Sequence, residues 1–149
     1  MAKLFGAWWL LAVLVNLASV ALGLLPRRRR ASTDAGPSIS IIVPVKGAEA
    51  AAAANIEALF RQDYPDFEIV FAVADPDDPA VRLIERAMDA HPNVAARLTT
   101  EPLPPSGNPK LDNLRRAWRW VRHELIVTCD VNIRFRPDEL RRLAGQLTP

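Results

Sequence analysis

The 22 residues from 4 to 25, LFGAWWLLAVLVNLASVALGLL, carry no charge, and PRRRR follows at once. As a helix such a run rises ~33 Å, enough for a hydrocarbon core of ~30 Å. A secretory signal peptide is the rival reading, with Lys3 in its charged region. Signal h-regions span only about 7–15 residues, and no clean A-x-A site precedes the arginines. The segment is therefore expected to be an uncleaved transmembrane helix at 4–25, with a basic flank and linker at 26–37. Arg27 to Arg30 outweigh Lys3, which places residue 31 onward on the cytoplasmic face of a single-pass membrane protein. Asn16 within the run is given no role.

Setting the anchor and its arginines aside leaves just under 120 residues. That suffices for one small core and is too little for two. Lys3 and Arg27 to Arg30 also supply five of the 19 positive charges, so the rest carries 14 against 17 acids. The pI of 9.1 thus describes the membrane flank, and no nucleic-acid partner is expected, because such binders carry their basic patch on the folded domain. A lone cysteine, Cys129, excludes a disulfide framework and any CxxC metal site.

From residue 38 strands and helices alternate. SISIIVPV (38–45) is a β-branched run stopped by Pro44 and Gly47, and it reads as a buried strand. AEAAAAANIEALFRQ (48–62) is rich in helix formers and ends at the turn signal DYPD. FEIVFAVA (67–74) is a second strand. The segment 78–91 repeats apolar residues at helical spacing, with Pro79 in its first turn and Asp77 or Asp78 as its cap. A weaker strand at 94–100 leads into a proline-rich loop at 101–109. A basic helix at 110–123, a strand at 124–130 and a last helix at 136–147 follow. Such alternation predicts an α/β fold, a mostly parallel sheet with flanking helices. Ligands of such sheets bind beyond the carboxyl ends of the strands. Lys46, Asp75, the 101–110 loop and Asp130 all fall there.

Asp75 and Asp130 each close an apolar strand, where a cap or turn acid is the simplest role. For Asp130 the D-x-N with Asn132 offers more: neighbouring oxygens that can hold Mg²⁺ or Mn²⁺ together with a diphosphate. Lys46 and Lys110 are the only lysines outside the anchor, beside twelve arginines. Each is either a solvated surface charge or a compact cation for phosphate oxygens. Neither GxGxxG nor GxxxxGK[ST] occurs, which argues against dinucleotide dehydrogenases and P-loop NTPases. No G-x-S-x-G elbow is present. His91 and His123 each follow a helix and read as dipole partners, and Cys129 as a small core residue. Trp118 and Trp120 cannot share one helical face. One belongs to the core; the other, with Arg115, Arg116, Arg119 and Arg122, forms either a solvated basic face or a lipid-headgroup contact.

The strings IIVPVKG (41–47), QDYPDFEIVFAVADPDDPA (62–80), HPNVAARL (91–98), NPKLDNL (108–114) and ELIVTCDVNIR (124–134) resemble the ceramide glucosyltransferases and their bacterial lipid-modifying relatives. These are family 2-like glycosyltransferases of the glycosyltransferase A fold, and the resemblance runs from about residue 38 to 147. It implies a Rossmann-like nucleotide-binding half at 38–149. The activity it implies is inverting transfer of a sugar from a nucleotide sugar, a UDP-sugar, to the hydroxyl of a ceramide- or hopanoid-type membrane lipid. Asp75 then matches the aspartate near uracil and ribose, and Asp130 the one at metal and diphosphate. Lys46, Lys110 and Asn113 match residues of the nucleotide site. Asn132 stands where many relatives carry the second acid of D-x-D, so Mg²⁺ or Mn²⁺ is expected on Asp130 with Asn132. The family's third aspartate, its general base, and its Q/R-x-x-R-W motif have no match up to Pro149, and no catalytic residue is assigned. The alternative expectation is a membrane-tethered nucleotide-binding fragment without turnover, lacking base and acceptor site.

Overall fold

In the computed structural model the backbone is described for residues 2–24 and 36–147, and side chains of the first helix from Trp8 to Val20. The SISIIVPV run forms β1 (Ile39–Val45), buried at every position. A strand with no exposed face must lie between neighbours. It pairs in parallel with β2 (Phe67–Val73) on one side and β4 (Leu125–Thr128) on the other. The weaker strand, β3 (Ala95–Thr99), joins the outer side of β2, giving the order β3-β2-β1-β4. Ile39 lies level with both Phe67 and Leu125, so the three strands start together. The expected parallel sheet with flanking helices is what forms.

Side-chain alternation divides the core in two. Ile39, Ile41, Val43 and Val45 of β1, with Ile69, Phe71 and Val73 of β2, face α2 (Ala52–Phe60), α3 (Pro79–Ala90) and α5 (Glu139–Leu147). Ile56, Leu59, Ile84 and Leu140 complete that layer. Each such side chain contributes about 1.5–3 kcal/mol on burial. On the other face Ile42, Val70 and Ala72 meet Ala117 of α4 (Pro109–Trp118), with Leu114 and Trp120 alongside.

Helix α4 stops at Trp118, short of the expected His123. The next amides are drawn elsewhere. Trp120 and Val121 donate to Ala117 and Trp118, a tightened last turn, and the Arg122 and His123 N–H groups go to Glu68 Oε1 (2.7 Å) and Ser40 Oγ (3.2 Å). Glu68 is buried in β2. It also accepts from Ser40 Oγ at 2.6 Å and from Arg122 Nε at 2.7 Å. One carboxylate thus ties β1, β2 and the approach to β4 at the amino ends of the strands.

Most of the uncharged run, with Lys3 ahead of it, lies in α1 (Ala2–Leu24). Every position from 8 to 20 is exposed, Trp8, Trp9, Leu14 and Leu17 among them. Among the described residues, no helix is long and apolar enough to cross a membrane. What they show in place of the expected span is an exposed apolar helix. The end of that span at residue 25, and the flank and linker from 26 to 35, lie outside the described residues. Beyond them Tyr64 Oη donates to the Pro37 carbonyl at 2.6 Å.

Burial pushes Glu68 up, but its bonds from Ser40 and from the Arg122 amide and guanidinium outweigh this and hold it below its ordinary 4.5. The folded chain therefore binds that proton less readily than the unfolded one. The network's contribution is present above pH 4.5 and is lost as pH falls through the lower folded value. Glu57, held down chiefly by its hydrogen bond with His91, adds in the same direction. Thermal unfolding followed by circular dichroism should show a midpoint that drops below pH 4.5. Glu68→Gln should cost about 2 kcal/mol at neutral pH and make that drop shallower. An identical pH profile in the variant would show that the Glu68 network does not carry it.

Candidate functional site

With the order β3-β2-β1-β4, the chain reverses its winding between β1 and β4. Loops leaving adjacent strands there part to opposite faces and open a crevice at the carboxyl ends. Lys46 and Gly47 leave β1 at this point, Asp130 follows β4, and Asp75 follows β2, one strand further over. The edge holds both lysines and both acids expected of it.

Local structure explains how each is presented. Gly47 has φ +73°, a conformation other residues rarely adopt, and turns the chain away from the sheet. Its N–H donates to Asp78 Oδ2 at 2.8 Å, while Asp78 Oδ1 caps α3 through the Ala80 N–H at 2.8 Å. Asp78 is thus the cap of the expected pair, and it also fixes the turn that carries Lys46. Asp75 accepts the Asp77 N–H at 2.9 Å and remains exposed. Lys46 is exposed and forms no ion pair among the described residues. Lys110, in the first turn of α4, places its Nζ 2.8 Å from Asp130 Oδ2. Both side chains are about half exposed, at 60% and 48%.

Asn113 has a different place. It is buried and spends its amide on the protein: Nδ2 donates to the Val45 carbonyl at 3.1 Å, and Oδ1 accepts from Arg116. It locks α4 to the end of β1, so it positions the crevice wall rather than lining it. Asn132 is exposed beside Asp130. Their turn is held by a residue that sequence reading passed over. Asn55 Nδ2, buried on α2, donates to the Val131 carbonyl at 2.9 Å. The signal was there: one amide in an alanine-rich helix, on the side of Ile56 and Leu59. Gln62 does similar work, its side chain bonding the Arg136 carbonyl (2.9 Å) and the Leu140 N–H (3.3 Å) to dock α5.

Among the described residues no group of three or more His, Cys, Asp or Glu side chains could hold a metal. Asp130 could fit a divalent ion only as a single carboxylate, the remaining ligands having to come from phosphate oxygens, water and the neighbouring Asn132. This suits Mg²⁺ or Mn²⁺, which are commonly held by one or two carboxylates plus substrate phosphates. Cys129 is no ligand: burial, with the Asp130 charge, pushes its thiol up to about 12. His91 stacks on Phe60 and places Nε2 2.7 Å from Glu57 Oε1, so it joins α3 to α2 besides capping α3. Trp120 is the core member of its pair, with Arg97 3.9 Å above its ring, and Trp118 is exposed. The basic face expected around Trp118 is mostly neutralised: Arg116 is buried, Arg119 meets Glu101 and Arg122 meets Glu68.

The family model described as Glycosyl transferase family 21 matches residues 7–149. Ceramide glucosyltransferase 1 of Caenorhabditis elegans is 32% identical over 108 residues, 72% of this chain and 23% of the relative. Ceramide glucosyltransferase of Gibberella zeae is 32% identical over 121 residues, 74% of this chain and 23% of the relative. The chain therefore spans about a quarter of the length of these curated relatives. Among solved structures, mannosyltransferase PcManGT from Pyrobaculum calidifontis, in complex with GDP-Man and Mn²⁺, superposes with a TM-score of 0.70. It is 20% identical, and the match covers 92% of this chain and 40% of that one. S. aureus TarS 1-349 in complex with UDP gives 0.55 at 22% identity, over 72% of this chain and 31% of that one. These likenesses establish a shared glycosyltransferase A-type fold.

Removing the Asn55 amide leaves the Val131 carbonyl unpartnered. Asn55→Ala should cost about 1–3 kcal/mol. It should also speed hydrogen exchange at the Ile133 amide, which closes the turn onto the Asp130 carbonyl at 3.0 Å. Unchanged exchange at Ile133 would mean that the turn holds without Asn55.

Proposed function

The chain belongs to glycosyl transferase family 21, and from that membership we propose that it forms the donor-binding half of a lipid glycosyltransferase. The observation that carries the reading is the convergence of Lys46, Lys110 and Asp130 at the β1/β4 crevice, with Asp75 beside it. The donor is a nucleotide sugar, a UDP-sugar, and the acceptor a membrane lipid hydroxyl of the ceramide type named in the relatives, or a hopanoid-type one. Asp75 accepts hydrogen bonds from the uridine. The two lysines take the diphosphate. Asp130, with Asn132 beside it, holds Mg²⁺ or Mn²⁺. Such an ion, when bound, offsets the charge of the departing nucleotide. Lys46 and Lys110 add to that stabilisation as cations at the crevice.

A narrower reading is donor binding without turnover by these 149 residues; two acids near the carboxyl edge, Asp78 and Asp112, are already engaged. A base must reach the acceptor hydroxyl within hydrogen-bond distance. Asp78 is committed to Gly47 and the α3 cap. Asp112 accepts from Ser106, which with Arg115 holds its carboxyl below the usual range.

We place α1 at the membrane, with the folded domain on the cytoplasmic face. Its exposed apolar side chains from Trp8 to Val20 support this, as does the sequence PRRRR that follows it. A reporter fused after Pro149 should behave as cytoplasmic, and translocation of the reporter would refute the orientation.

Titration of the purified chain with UDP should give a Kd in the micromolar-to-millimolar range, roughly −4 to −8 kcal/mol, tightened by Mn²⁺. Asp130→Ala should abolish the metal dependence, and Asp75→Ala should weaken binding even without metal. Equal binding by all three proteins would refute both assignments. Binding without sugar transfer to a lipid extract supports the narrower reading; glycolipid formed by the 149 residues alone excludes it.

A further inference from the structure

We propose that Lys110 is the resident cation of the Asp130 carboxylate, occupying the position a divalent ion would take until a nucleotide diphosphate draws it away. The inference rests on the reading of the site given above and adds an order of events to it: metal alone is held back, and metal and diphosphate enter together.

Three observations carry it. Lys110 Nζ lies 2.8 Å from Asp130 Oδ2, the carboxylate that the crevice offers to a cation. With the lysine in place that charge is already balanced, and an incoming divalent ion meets a like charge beside it. Second, Lys110 stands just after Asn108 and Pro109, in the first turn of α4. A helix amino terminus disfavours a cation. The acid suited to that turn is Asp112, and it is present, accepting the Ser106 N–H at 3.1 Å. The helix therefore does not explain the lysine; the carboxylate across the crevice does. Third, the backbone of Lys110 is fixed while its side chain is free to move. Asn108 Oδ1 accepts the Lys110 and Leu111 N–H groups at 3.1 and 3.3 Å. Asn113 then pins α4 to Val45. The ammonium, on a four-carbon stem that is 60% exposed, can leave Asp130 for a phosphate oxygen without any backbone movement. An exposed pair of this kind is weak, about fivefold at most in a competing equilibrium. A diphosphate supplies enough negative charge to hold both the ammonium and the metal.

The test uses the full chain in detergent, with Mn²⁺ alone as the first probe and UDP as the second. Free Mn²⁺ is counted by electron paramagnetic resonance. Without nucleotide, Lys110→Met should bind Mn²⁺ about two- to fivefold more tightly than the parent chain. Lys110→Arg, which keeps the charge, should not, and Asp130→Ala should lose the site. With UDP the order reverses: Lys110→Met should bind UDP more weakly, and Mn²⁺ should improve its UDP affinity by a smaller factor than in the parent. Equal or weaker Mn²⁺ binding by Lys110→Met overturns the proposal, as does a gain shared by Lys110→Arg. The nucleotide reading fails separately. If UDP does not bind the parent chain while Mn²⁺ tightens in Lys110→Met, the resident cation stands and the donor assignment falls.

Discussion

Strand β1 is buried along its whole length and paired on both sides, and the rest of the domain is arranged around that constraint. Its alternate side chains must be covered on two faces, so α2, α3 and α5 occupy one and α4 the other. Parallel pairing on both edges brings the ends of β2, β1 and β4 to one side of the sheet. Because β2 and β4 flank β1 from opposite sides, the loop from β1 opens where the winding reverses. The crevice is a consequence of burying one apolar strand between two neighbours, and the polar residues at its rim inherit their proximity from that.

Buried polar side chains then do the fine placement. Asn113 fixes α4 to the last carbonyl of β1, and Asn55 holds the turn after β4. Asp78 joins the β1 turn to the start of α3. At the opposite end of the strands Glu68 takes the Arg122 amide and guanidinium, and Ser40 the His123 amide, so neither N–H continues α4. Each satisfies a backbone group that burial would leave costly and unpaired. The rim groups Lys46, Lys110, Asp75 and Asp130 stay exposed on that frame.

Much of the frame was legible in the residues. The β-branched run at 38–45, the Pro79 start with an aspartate cap, and the alternation of strands with helices each follow from local chemistry, and each formed. The end of α4 was not legible. Nothing local stops a helix between Trp118 and His123; Glu68 and Ser40, more than fifty residues earlier, take the Arg122 and His123 amides. The bonds of Asn113 to Val45 and Arg116 were not legible either, since a motif asparagine near a site gives no sign of whether it faces ligand or backbone. His91 was read as a dipole partner because its hydrogen-bond partner, Glu57, belongs to another helix.

The sequence by itself determined which segments become strands and helices, the parallel sheet, and the membership of Lys46, Asp75, Lys110 and Asp130 in its carboxyl edge. These depend on periodicity, turn residues and the geometry of crossover connections, all of which act along the chain. The tertiary structure alone decided the strand order that makes the β1/β4 crevice, and the pairing of Lys110 with Asp130. It also decided the assignment of Asn55 and Asn113 to backbone carbonyls. Those depend on which side of β1 each later strand adds to, a choice between packings that no local pattern encodes.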